Sequence, residues 1–402
     1  MEYAWVVQNM KDLLIVVSSL GLGGNERSTI NIYHSIKKEL TAKIVTLDGS
    51  QCHNTDVLQE DYYDLKTPAA KSLVIRYIHS IQRYFRFRAI IRHEKPKAVY
   101  LILNEGNILT KARYKGTKKI IACRDCGNLI RNHPIFHHNL LKSDYLIFNS
   151  RYMHDYYLNQ YPDDFKKIKY IYNAIDIQTI ERQSKQSLPE DVIPFFSDHK
   201  VIVSVGRFCK EKGFNHLVKA FEYAKESVPE LGLCIVGDGD LMPEIKELVT
   251  ESKWSKDILL TGFQNNPYKF IKHAFVYVLS SISEGFPNVI LEAIALKIPV
   301  ISTDCKSGPH EVLDPDNEEY IKSDGTFQLS KYGILCPPFV ERDNAYVSDS
   351  LHQEKEMAKA ITSLLNIESV YNGYVEKSRD AIQPFLLENI GKAYINFFNE
   401  IE

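Results

Sequence analysis

Ser283-Glu284-Gly285-Phe286-Pro287-Asn288-Val289-Ile290-Leu291-Glu292-Ala293 is the stretch on which the fold turns. It follows Phe275-Val276-Tyr277-Val278-Leu279, a short β-branched and aromatic run that reads as a buried strand. Gly285 and its polar neighbours turn the chain. Pro287 then suits the first turn of a helix, where a missing N–H costs nothing. The unit is strand, tight loop, helix, and in an open parallel sheet such a loop lies at the carboxyl edge where ligands bind. Orphan N–H groups around Phe286 to Val289 favour an anion. Glu284 in the loop and Glu292 about one turn into the helix flank that place. Carboxylates there suit sugar or ribose hydroxyls, while either one alone reads as a solvated surface acid.

Working outward, 402 residues exceed what one core serves, so two domains are expected. The composition, 44% hydrophobic and 25% charged, is globular. A net charge of −2 excludes a globally nucleic-acid-binding surface. Seven widely spaced cysteines fit a reducing compartment. No apolar run is long enough to span a bilayer, and Met1 to Asp12 does not resemble a cleavable signal. A cytoplasmic protein is expected, with the inner face of the membrane as its second possible address.

Upstream, Leu13 to Val17 reads as a first strand running into Gly23-Gly24-Asn25-Glu26-Arg27 and a helical pattern through Leu40. A glycine-rich turn there lets backbone approach a phosphate. No Lys-Ser/Thr follows, so it is not a P-loop. In isolation it is a structural turn. Strands at Ile44–Leu47, Ala98–Leu103, Ile120–Ala122 and Tyr145–Phe148 alternate with helices, which means a parallel sheet with covering helices. Between them, Ser72 to Lys97 carries Arg76, Arg83, Arg86, Arg88 and Arg92 among Tyr77, Tyr84, Phe85 and Phe87. Lys111, Arg113, Lys115, Lys118 and Lys119 extend the basic run. Such a helix suits an anionic membrane surface, or is a covering helix with solvated arginines.

The pattern breaks over residues 184–198, taken as the linker between a first domain, 1–183, and a second, 199–384. The second half repeats the strand–helix alternation from Val201 onward. These are two Rossmann-like doubly wound α/β domains, with a ligand cleft expected between them. Arg207 and Lys212 beside the helix start at Phe214 suit a diphosphate, though either alone is an ordinary surface cation. Gly237-Asp238-Gly239 is a close-approach turn, and Thr261-Gly262-Phe263 suits a base or is only a loop. Cys123 and Cys126 have metal-ligand spacing with no second pair, so strand-end packing is the expected role.

Gly206-Arg207, Lys212-Gly213, Val236-Gly237-Asp238-Gly239, Gly262-Phe263, Glu284 with Glu292, and Ser307-Gly308-Pro309-His310-Glu311 together resemble the retaining nucleotide-sugar glycosyltransferases of the GT-B fold, family 4. The likeness extends to bacterial enzymes building capsule, O-antigen or other glycans on lipid carriers. It implies that Arg207 and Lys212 hold the diphosphate of a UDP-sugar, Glu292 the ribose and Glu284 a sugar hydroxyl. Phe286, Pro287 and Asn288 would contact sugar and phosphate, and Gly23 and Gly24 would admit the diphosphate from the first domain. No metal or other cofactor is implied. The histidine that many relatives carry after the strand Ile120–Ala122, where it contacts the donor sugar, is missing. Asp125 stands near its place, with His133 further on. A terminal helix, 385–402, is expected to cross back to the first domain. The expected function is transfer of a hexose or N-acetylhexosamine to a lipid-linked or polysaccharide acceptor. A nucleotide-sugar epimerase and a non-catalytic sugar-nucleotide-binding subunit are the alternatives.

Overall fold

A computed structural model describes residues 12–21, 23–50, 61–103, 107–340 and 352–401. The chain forms two compact units, one of Met1–Ile175 with Phe385–Glu402 and one of Asp176–Pro384. In the first unit the strands are β1 (Leu13–Val17), β2 (Ala42–Thr46), β3 (Tyr62–Asp64), β4 (Ala98–Ile102), β5 (Lys118–Cys123), β6 (Tyr145–Phe148) and β7 (Ile168–Tyr170). They lie in the order β3-β2-β1-β4-β5-β6-β7, every neighbouring pair parallel. Helices α1 (Gly24–Ile36), α2 (Leu73–Glu94), α3 (Ile108–Lys111), α4 (Cys126–Leu140) and α5 (Arg151–Gln160) cover it.

β1 shows why an unbroken apolar run becomes a central strand. Leu13, Ile15 and Val17 face one core with Ile32 and Tyr33, while Leu14 and Val16 face another with Phe87 and Ile91. Both faces of a parallel sheet are buried, so alternation disappears from the sequence. Cys123 and Cys126 are both buried in a third apolar cluster with Leu129, Phe136 and Met153, the packing role expected of them.

The second unit has helices α6 (Ile177–Ser184), α7 (Ile193–Asp198), α8 (Phe214–Ser227), α9 (Met242–Glu251), α10 (Tyr268–Lys272), α11 (Asn288–Ala295), α12 (Pro309–Leu313), α13 (His352–Asn366) and α14 (Glu368–Ile382). Its strands are β8 (Lys200–Val205), β9 (Leu231–Val236), β10 (Ile258–Leu260), β11 (Val276–Leu279), β12 (Val300–Thr303), β13 (Gln328–Leu329) and β14 (Ile334–Cys336). The order is β10-β9-β8-β11-β12-β14-β13, parallel except for β13 on β14. Chain direction across the sheet reverses between β8 and β11, which makes that boundary the switch point where doubly wound sheets bind ligands.

Two expectations change. Residues 184–198 are not a tether: α7 lies within them, Leu188 and Val192 are buried, and Asn266 Nδ2 donates to the Gln183 carbonyl at 2.8 Å. Pro189 and Pro194 broke the sequence pattern without freeing the backbone. The arginines of α2 also divide. Arg83 donates to Thr67 Oγ1 and to the Thr67 carbonyl, each at 2.8 Å, and Arg86 donates to the Leu65 and Lys66 carbonyls. Those two pin the chain after β3 and are not free for a membrane. The last helix, α15 (Leu387–Glu400), packs within the first unit. Its buried Tyr394 hydroxyl lies 3.2 Å from that of Tyr100, and the Ile175 N–H donates to the Phe385 carbonyl at 2.8 Å.

Candidate active site

The site of the second unit is built on the exits of β8 and β11. After β8 a short 3₁₀ turn, Lys210–Lys212, ends at Gly213 with φ of 59°. A side chain there would be strained, and its Cβ would meet the Ser280 carbonyl oxygen at 2.3 Å. This close approach places Lys212 against the β11 loop. Its Nζ lies 2.5 Å from Glu284 Oε1, and the Ser281 hydroxyl donates to the same oxygen at 2.6 Å. Burial disfavours charge on Lys212, but Glu284 outweighs it and raises the pKa above the ordinary lysine value. The ammonium is therefore held in place, charged, at the switch point. Arg207 is exposed on the same loop.

From Glu284 the chain enters α11, with Pro287 at its N-cap. Ser307 donates to the Gly285 carbonyl, and Gly308, at φ of 92°, lies where a Cβ would meet Pro287 Cδ at 2.3 Å. The Ser-Gly-Pro segment thus braces the loop from below. Glu292 is buried one turn on, and Tyr268 donates to its Oε1 at 3.3 Å. Gly262 and Phe263 follow β10 at the same sheet edge. Gly237 N–H donates to the Gly262 carbonyl at 3.0 Å, and the Phe263 ring is 59% exposed, free to receive a flat apolar face. Arg207, Lys212, Gly262, Phe263, Glu284, Phe286, Pro287, Asn288 and Glu292 thus share one sheet edge. Ser307, of the Ser-Gly-Pro motif, joins them, as do Tyr268 and Ser281, which no sequence pattern marked because only tertiary contact recruits them.

The first-unit candidates stand separately. Gly23 caps α1, and the Glu26 carboxylate folds back over it. Asp125 is exposed after β5 and its carboxylate caps α4, accepting the Asn128 N–H at 2.8 Å. His133 lies two turns into α4, its Nδ1 3.0 Å from the Tyr161 hydroxyl. Arg124, overlooked in the sequence, donates to the Ser28 hydroxyl of α1 at 2.6 Å. Ser28 in turn donates to Asn173 Oδ1 at 3.0 Å.

Residues 189–328 match the family described as glycosyl transferases group 1. Over the whole chain the fold matches S. aureus TarM solved with UDP (TM-score 0.71, 15% identity, 97% of this chain and 100% of that one). It matches Anabaena HepE in complex with UDP and glucose to the same extent (TM-score 0.71, 16% identity, 98% and 100%). The chain has the GT-B fold. Among sequence relatives, a Methanocaldococcus jannaschii protein named an uncharacterized glycosyltransferase is 33% identical over 53% of this chain and 54% of its own length. This GT-B chain therefore spans about half of that relative. A Campylobacter jejuni protein, named N-acetylgalactosamine-N,N'-diacetylbacillosaminyl-diphospho-undecaprenol 4-alpha-N-acetylgalactosaminyltransferase, is 24% identical over 94% of this chain and 96% of its own. The GT-B assignment puts the switch-point cluster in the unit that the group 1 match covers.

Proposed function

We propose that the protein is a retaining, family 4-type glycosyltransferase that moves a hexose or N-acetylhexosamine from a UDP-sugar to a lipid-linked or polysaccharide acceptor. The observation that carries this reading is the Lys212–Glu284 pair at the switch point, with Arg207 on the same loop and the α11 start beside it. Breaking the sugar–phosphate bond leaves charge on the diphosphate. Fixed cations and backbone N–H groups aimed at that charge stabilise it without reorganisation. In this reading Lys212 and Arg207 take the leaving diphosphate with no metal, and Glu292 accepts the ribose hydroxyls. Glu284 has two tasks, orienting Lys212 and accepting a sugar hydroxyl, and Phe263 stacks on the base. The Campylobacter relative's named substrate, a diphospho-undecaprenol-linked sugar, supports the acceptor class.

Thermal shift with UDP, GDP and ADP, each with and without magnesium, tests the donor site. At a hundredfold excess over Kd, binding adds about 2.7 kcal/mol. In a unit of this size that raises the Tm by roughly 5–10 °C. A UDP shift unaffected by magnesium and reduced by Glu292→Gln is expected. No shift with any nucleotide would remove the donor-binding role from this cluster.

The acceptor reading also needs a lipid surface, and α2 supplies one. Val74, Ile78, Ile81 and Phe85 are 67%, 45%, 38% and 62% exposed. At helical spacing they form a stripe that Arg88 and Arg92 continue. The only acid of α2, Glu94, is buried and paired with Lys43 Nζ at 3.1 Å, so the outward face is apolar and cationic. This fits an anionic bilayer, which the helix would lie on and not cross, since no described helix is long and apolar enough to span a membrane. Removing both Arg88 and Arg92 as alanines should weaken sedimentation with phosphatidylglycerol vesicles by roughly thirtyfold, at about 1 kcal/mol per cation. Ile81→Glu should do so on neutral vesicles too. Unchanged sedimentation in both would leave α2 a solvated covering helix.

A further inference from the structure

At the opposite edge of the first sheet, where β5 and β6 begin, a cavity of about 460 Å³ opens between the loop before β5 and the loop before β6. Arg113, Lys118, Lys119 and Lys142 line it, with Ser143 and a single carboxylate, Asp144. That carboxylate already accepts the Lys119 backbone N–H at 2.8 Å. We propose that this cavity binds a phosphoryl group, with Arg113, Lys118 and Lys142 around the anion and the Lys119 ammonium in its wall. It is separate from the donor site, which lies in the other unit, and does not rest on the proposed transferase reaction.

Among the described residues, the charge around this half-open cavity is uncompensated. Four cations face one acid, and like charges in a partly desolvated place repel unless a counter-ion enters. Lys119 is almost fully buried, and two of its N–H groups are spent on the Thr110 and Ala112 carbonyls at 2.7 and 2.6 Å. Burial, with Arg113 and Lys142 adding to it against Asp144, pushes its pKa down to about 8. Lys142 Nζ lies 2.8 Å from His138 Nε2, a partner that brings no negative charge, so that contact does not neutralise it. Tyr114, also on the wall, sends its hydroxyl to the Leu109 carbonyl at 3.0 Å and holds its proton through burial. A bound dianion would relieve the repulsion and strengthen every N–H contact to it.

The ligand is defined here by its phosphoryl group, which a free phosphate ester or a phospholipid headgroup would equally present. Titrating the full chain with inorganic phosphate, and separately sedimenting it with vesicles of equal parts phosphatidylcholine and phosphatidylglycerol, distinguishes the two. The variant Arg113→Glu with Lys142→Glu changes only side chains that are at least partly solvent-exposed and leaves α2 and the donor site untouched. Phosphate binding weakened at least roughly tenfold in the variant, with an unchanged UDP response, assigns the site to soluble phosphate. Vesicle binding weakened to that degree while phosphate binds neither protein assigns it to a headgroup. Equal behaviour of wild type and variant in both arms overturns the proposal. Sulfate, whose charge is constant, should bind more weakly at pH 9 than at pH 7 as Lys119 loses its proton. A flat response would remove Lys119 from the site.

Discussion

Lys212→Ala is expected to lower kcat by about 100- to 1,000-fold, the cost of removing one preorganised donor from a developing oxyanion, while the Tm moves far less. The separation follows from geometry. Lys212 is tied to Glu284 at 2.5 Å, yet its side chain keeps 21% exposure, so the pair borders solvent and its removal is not a core defect. Glu284 keeps the Ser281 hydroxyl at 2.6 Å, which limits the penalty of an unpaired carboxylate. The effect should fall on kcat more than on the donor KM, because in the proposed reaction the charge that Lys212 meets grows as the leaving group departs. Lys212→Arg should recover only part, since the Lys212 stem passes within 3.3 Å of the Cβ position on Gly206, leaving little room for a planar fork. Single-turnover rates with a radiolabelled UDP-sugar check this. Wild-type turnover in Lys212→Ala would remove the diphosphate role from Lys212 and with it the reading of the switch-point cluster.

What the sequence disclosed follows from the range of the interactions involved. The β11–loop–α11 unit was legible because strand period, Gly285 and Pro287 act over a few residues, and the structure places Pro287 at the N-cap of α11. Lys212 and Glu284 were each named, but their pairing spans 72 positions, and no local pattern encodes it. Tyr268 was invisible for the same reason: its reach to Glu292 depends on how α10 packs on α11. The arginines of α2 were misassigned in part because a basic helix looks alike whether its guanidiniums face lipid or main-chain carbonyls. Only the fold shows Arg83 and Arg86 spent on residues 65–67. The residues taken as a linker failed because prolines and polar residues interrupt periodicity without preventing Leu188 and Val192 from being buried. For Asp125, the sequence offered a stand-in for the missing histidine, and the structure adds a competing task, since its carboxylate already caps α4.

The brace beneath the donor loop should be the second sensitive point. His310 and Asp304 side chains are 2% and 0% exposed, with Nδ1 2.9 Å from Oδ1, and Nε2 lies 2.9 Å from the Asn317 carbonyl. Both ring nitrogens face acceptors, which only the protonated imidazole satisfies. Burial opposes that charge, but Asp304 and then the Asn317 carbonyl outweigh it and raise the pKa above 6.5. Asp304 also accepts the Ile321 N–H at 2.6 Å, so the pair ties residues 317–321 to the segment 304–310, which carries Ser307 and Gly308. Asp304→Ala strands a buried cation and an N–H together. A loss of about 3 kcal/mol, or roughly 6–12 °C in Tm, is expected. The sign with pH follows from the raised pKa: the stabilisation is complete below 6.5 and fades as pH rises through the folded-state value. The Tm gap between wild type and Asp304→Asn should therefore be widest in mild acid and narrow on the alkaline side. A gap independent of pH would mean that the imidazole carries no charge over that range. The donor loop would then rest on an uncharged brace, and UDP affinity in Asp304→Asn would match the wild type across the same range.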